Sequence, residues 1–201
     1  KVQIHFVRHL EKEGWPPSGR LANVEVFKRF LAPRLSEKGH RVAYLLIDAL
    51  RYELGVELEK LLTDVGIVEM HTACAQLPTI TPVGMASLLP DAHNSLTLNI
   101  EQSKLVPRIG ETVVGNLTQR MSYLRKQFGD RFAEVTLRDF IKRKRPNIDP
   151  TVDLLVLRST AIDRPLESNP PEEILSLVPR TLKQIRVALS KLGDLGFHEA
   201  I

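Results

Sequence analysis

Residues 41–54 read RVAYLLIDALRYEL, and the fold turns on how this stretch is divided. Arg41 to Ile47 is a short, nearly all-apolar run, which predicts a β-strand covered on both faces. Asp48 stands where that strand stops. From Glu53 to Val65, the residues Leu54, Leu58, Leu61, Leu62 and Val65 recur at helical period, and Gly66 suits the position just past such a helix. Ile67 to Ala75 predicts a second strand. Strand, helix and strand in this order predict a right-handed βαβ unit. The fold class is therefore α/β, with a parallel or mostly parallel sheet and flanking helices.

Upstream, Val24, Phe27, Phe30 and Leu31 give residues 22–35 a helical pattern that Gly39 and His40 end. Lys1 to Leu10 reads as the tail of a helix or as an edge strand. Its IHFVRH (residues 4–9) has the strand-Arg-His opening of histidine phosphatases, but Leu10 follows where those carry Gly, and no partner motif lies downstream. Downstream of Pro78 to Pro82, a rigid loop, Val83, Met85, Ala86, Leu88 and Leu89 predict a short buried helix stopped near Pro90. Leu96 to Ile100 alternates as a strand, and Leu117 to Phe128 is an amphipathic helix. Thr136 to Lys144 predicts another helix, Asp153 to Leu157 (DLLVL) a second buried strand, and Glu172 to Leu192 a long helix. His198 to Ile201 reads as the start of a further strand. The expected organisation is thus the end of an upstream helical segment over 1–40 and the N-terminal part of a domain, truncated at its C-terminus, over 41–201.

Composition narrows the function classes. With 43% hydrophobic and 26% charged residues, the 201-residue chain can build a globular core. A single cysteine, Cys74, excludes an internal disulfide framework and suits a reducing cytoplasm; in its apolar stretch it reads as a small buried residue. No apolar run reaches the length of a membrane span. The net charge is +4, and the one basic cluster, Lys142 to Arg145, is either a solvated helix end before Pro146 or a phosphate-tracking patch. An aromatic content of 5% offers little for base stacking. His5, His9, His40, His71 and His93 show no metal-like pairing, although His71 falls on the expected second strand and could face a site there.

Three places carry chemistry. Ligands of parallel α/β sheets bind outside the carboxyl ends of the strands, so Asp48 is either a metal ligand or a cap for the next helix. Thr81 before Pro82 is either an ordinary N-cap or a nucleophilic hydroxyl at a helix start whose free N–H groups would hold a phosphate oxygen. A zinc ion at Asp48 would supply the activation a threonine hydroxyl needs. After DLLVL, Asp163 and Glu167 lie four apart and would meet on one helical turn, as metal-binding carboxylates or as a solvated acidic loop.

LLIDALRYEL (45–54), LPTITPVGMASLLP (77–90) and LLVLRSTAID (154–163) together resemble the PglZ domain, a member of the alkaline phosphatase superfamily known from bacterial phage-exclusion (BREX) systems. The resemblance implies an alkaline-phosphatase-like fold over roughly 41–201 and a phosphomonoesterase or phosphodiesterase dependent on zinc or another divalent metal. By position, Asp48 matches the aspartate of one metal, Thr81 the nucleophile that also coordinates it, and Asp163 the aspartate of the other metal. Glu167 stands where many members have histidine, and Arg51 either helps to hold the substrate phosphate or pairs with a neighbouring carboxylate. The superfamily completes this site with an Asp-His pair and a further histidine after the next strand, and no such motif stands in this sequence. The resemblance therefore implies a closed two-metal site, and turnover, only in a longer protein. Implied partners are a phosphoester substrate, a nucleotide or nucleic acid, and other defence-system proteins in the cytoplasm. A retained, non-catalytic interaction module is the alternative.

Overall fold

Four consecutive residues with no solvent exposure, Leu154 to Leu157, and three more at Val42 to Tyr44 that are almost as buried, mark the centre of the molecule. The computed structural model describes residues 2–163 and 171–201. In chain order it runs through α1 (Val2–Glu13), β1 (Leu21–Ala22), α2 (Asn23–Val26), a π turn (Phe27–Leu31), α3 (Ala32–Ser36) and β2 (Val42–Ile47). Next come α4 (Tyr52–Leu61), β3 (Ala73–Cys74), α5 (Thr81–Ser87) and α6 (Ala92–Ser95). An antiparallel sheet of β4 (Leu96–Glu101), β5 (Lys104–Ile109) and β6 (Thr112–Val113) follows. The remainder is α7 (Leu117–Phe128), β7 (Phe132–Thr136), α8 (Leu137–Lys142), β8 (Leu154–Ser159), α9 (Pro171–Asp194) and β9 (Glu199–Ala200).

The main sheet has the order β7-β8-β2-β9, and every pairing in it is parallel. Its two central strands lie residue on residue, Val42 against Leu154 through Ile47 against Ser159. Side chains alternate across the pleat. Val42, Tyr44 and Leu46, with Leu154 and Val156, face a core that includes Phe27, Leu31, Ala86 of α5 and Met121 and Leu124 of α7. Ala43, Leu155 and Leu157 face the opposite core, built with Leu137 and Phe140 of α8 and Leu182, Ile185 and Ala188 of α9. Helices on both faces are why these strands read as unbroken apolar runs. At about 1.5–3 kcal/mol for each fully buried aliphatic side chain, this double layer is the main source of stability.

At the amino ends of the strands, Arg41 acts as a clamp. Its Nε donates to the Val152 carbonyl at 2.9 Å and its Nη1 to the Leu195 carbonyl at 2.6 Å, while its guanidinium lies 4.2 Å from the Phe197 ring centroid. Close by, the rings of His40 and His198 stack with centroids 4.7 Å apart.

Several local expectations are corrected. Residues 67–75 do not join the main sheet: only Ala73 and Cys74 form a strand, paired in parallel with Leu21 and Ala22 of β1. The neighbours of β2 are β8 and β9, so its parallel pairs are closed by much longer crossovers than the expected βαβ unit. The reason is burial, since Ile67 is 98% exposed and the segment has no second face to cover it. His71 is exposed beside Glu69 and against the Phe30 ring, 4.8 Å between centroids. Helix α4 stops at Leu61 with Leu62 as its C-cap, short of the expected Val65 and Gly66. Strand β7, which starts at Phe132, carries Glu134 in its middle and escapes a hydropathy reading. Within the segment read as helix or edge strand, Val2 to Leu10 is helix, and Cys74 is half-buried.

Candidate active site

Strand β2 delivers Asp48 to the carboxyl edge of the sheet, and the ladder continues one step past the strand: the Asp48 N–H donates to the Ser159 carbonyl of β8 at 2.9 Å. Asp48 thereby extends the series Val42, Tyr44, Leu46, the face covered by α5 and α7. The chain then turns sharply. Ala49 takes a left-handed φ of 59°, and its N–H donates to Asp48 Oδ1 at 3.1 Å. Asp48 is thus neither a free loop residue nor the cap of α4, whose N-cap is Arg51.

Arg51 itself pairs with Glu53, Nε to Oε1 at 3.1 Å, with both side chains exposed. Of its two readings, the ion pair is the arrangement present.

Thr81 is the first residue of α5. The N-cap is Ile80, whose carbonyl accepts from the N–H groups of Val83 and Gly84, so the expectation of a threonine cap is corrected and Pro82 sits in the second helical position. Its hydroxyl is exposed and finds no hydrogen-bond partner among the described residues. Val83 and Ala86 of α5 are fully buried, and Ala86 shares the core that contains Leu46. The Tyr44 hydroxyl donates to the Leu88 carbonyl at 3.1 Å, which ties the far end of α5 to the middle of β2.

Asp163 is half-buried in the turn after β8, next to the buried Ile162. Asp48 and Asp163 therefore follow neighbouring, in-register strands at the same edge of the sheet. Glu167 lies outside the described residues. Among the described residues, no group of three or more histidine, cysteine, aspartate or glutamate side chains is arranged to hold a metal ion. The two carboxylates fit a hard divalent cation in donor chemistry, and would hold part of its shell.

One residue that the sequence reading passes over lies at this site. Arg120, in the first turn of α7, is 8% exposed and shares a helix side with the buried Leu124. Its Nη1 donates to the Val114 and Gly115 carbonyls at 3.4 and 3.2 Å. Burial pushes the guanidinium pKa down, and the nearby charge of Asp48 opposes that shift. The signal that could have found it is a charged residue on the apolar stripe of an amphipathic helix.

The comparisons with known proteins fit this layout. A family model described as the BREX system PglZ alkaline phosphatase-like domain matches residues 26–189, which takes in α5, α7 and both central strands. The chain belongs to the PglZ family. It is 27% identical over 191 residues to an alkaline phosphatase-like protein PglZ of Bacillus cereus (strain H3081.97). That match covers 90% of this chain and 21% of the relative, so the chain spans about a fifth of that protein's length. The alkaline-phosphatase-like α/β architecture expected from the three sequence motifs is the one found. Among the described residues, no helix is long and apolar enough to cross a membrane.

Proposed function

We propose that this PglZ-family domain contributes Asp48, Thr81 and Asp163 to a site that binds and cleaves a phosphoester in the full-length protein. The observation that carries the reading is the pair of aspartates at the carboxyl ends of adjacent parallel strands, the position where α/β sheets bind their ligands. Glu167 and Arg51 are the secondary candidates, for metal and for phosphate respectively. A zinc or similar divalent ion held in part by the carboxylates would make the threonine hydroxyl a competent nucleophile.

The residues' own part is then defined. Thr81 Oγ, unencumbered at the start of α5, attacks phosphorus; its bond to phosphorus forms as the bond from phosphorus to the leaving ester oxygen breaks. The proton given up by the Thr81 hydroxyl passes by way of water to the leaving oxygen, which departs as an alcohol. Water then attacks the phosphothreonine, releasing the phosphate product and restoring the hydroxyl. Asp48 is fixed for its role by the ladder bond to Ser159 and by the turn at Ala49.

The test uses the full-length protein: metal content, and hydrolysis of bis-p-nitrophenyl phosphate with added zinc or manganese. Loss of turnover in Asp48→Ala and in Thr81→Ala supports the site, and unchanged turnover in both sinks it. The second reading, a non-catalytic module within a defence complex, is favoured by one observation: the described residues alone assemble no three-ligand cluster. A metal-free, inactive full-length protein would favour that reading.

A further inference from the structure

We propose that Arg120 is an anion-binding residue of the strand-end site, placed to hold a phosphoryl oxygen beside Asp48. The proposal rests on the phosphoester reading and names the group that would receive the substrate's charge. Four observations carry it. Asp48 continues the side of β2 on which α7 packs, so Arg120 and the aspartate belong to the same layer. Arg120 is 8% exposed as a residue, yet its Nε and Nη2 are not sealed in the core: among the described residues, His40 Nε2 is the buried side-chain atom left without a hydrogen-bond partner. Only Nη1 is tied down, to the carbonyls of Val114 and Gly115, and Nε and Nη2 find no acceptor among the described residues. Those two bonds fix the plane of the fork, and the remaining edge is the one that matches a phosphate oxygen pair.

The fourth observation is local. Arg120 occupies the first turn of α7, where the helix dipole favours an acid and disfavours a cation. Nothing in the stability of α7 asks for a positive charge there. A phosphoryl group approaching Asp48 meets a like charge, and a fixed cation at the same place offsets it. Preorganisation follows, because the guanidinium is oriented before any ligand arrives.

The experiment measures inorganic phosphate binding by calorimetry, and KM and kcat for bis-p-nitrophenyl phosphate, in full-length wild type, Arg120→Met and Arg120→Gln. The expected result is a rise of about tenfold or more in the phosphate Kd and in KM for both variants. Thermal midpoints monitor folding. If Arg120→Met does not fold, Arg120→Gln carries the test, because its amide can still donate to the two carbonyls. A phosphate Kd and KM unchanged in folded Arg120→Gln overturn the inference while leaving the hydrolase reading intact. Phosphate binding that depends on Arg120 without any turnover does the reverse. Wild-type protein that binds no phosphate overturns the inference outright.

Discussion

Replacing Tyr44 by phenylalanine removes one oxygen from the centre of the fold and separates two effects by their pH dependence. Tyr44 is 3% exposed, its ring packs edge-on to Phe27 at 6.1 Å, and its hydroxyl donates to the Leu88 carbonyl. The substitution keeps the ring contact and deletes the hydrogen bond, so near neutrality it costs about 1 kcal/mol. For a chain of this size that is a fall of about 2–4 °C in Tm. Burial also pushes the phenol pKa strongly upward from 10.0. The unfolded chain therefore releases the Tyr44 proton near pH 10 while the folded protein retains it. Below that pH the contribution of Tyr44 is fully present; it is lost as pH rises from about 10 toward and through the folded value, at about 1.4 kcal/mol per unit. Tyr44→Phe does not share this loss. Urea unfolding at pH 8 and pH 11 should show the variant weaker at the first and equal or stronger at the second. Parallel stability curves for the two proteins would refute the buried, neutral phenol and with it the packing of α5 on β2.

Asn116→Ala removes a capping box in which Asn116 Oδ1 accepts from the Gln119 N–H at 2.9 Å, and should lower stability by about 1 kcal/mol in chemical denaturation. Arg41→Lys keeps the charge but not the fork across the Val152 and Leu195 carbonyls, so it should fail to restore the roughly 2 kcal/mol lost in Arg41→Ala, read from urea midpoints. Leu155→Ala opens a cavity between β8 and the α8–α9 layer and should cost about 2–5 kcal/mol by thermal melting.

The central strands were legible because burial on both faces leaves a continuous apolar run, at RVAYLLI and at DLLVL alike. Helix α7 was legible to the residue, since its cap and its apolar stripe agree. Two strands defeated the same logic in opposite ways. Residues 67–75 look like a strand by composition, but composition does not say whether a second layer exists to cover them, and Ile67 lies in water. Residues Phe132 to Thr136 pair along β8 through backbone bonds that a central glutamate does not hinder, because Glu134 meets Arg158 at 3.0 Å. The site was half legible. A carboxylate at a strand end is a positional signal, whereas Arg120 is one arginine among many until the fold brings its charge near that of Asp48.

The left-handed Ala49 sets a conflict between durability and aim. An L-residue with a side chain costs about 1–2 kcal/mol at that φ, and glycine adopts it freely. A laboratory selection for heat resistance alone should therefore favour glycine at position 49. The same change would let the turn after Asp48 relax into other shapes, so the carboxylate would spend less time oriented toward the face that α5 and α7 cover. Selection for function and selection for robustness pull on this one backbone angle in opposite directions.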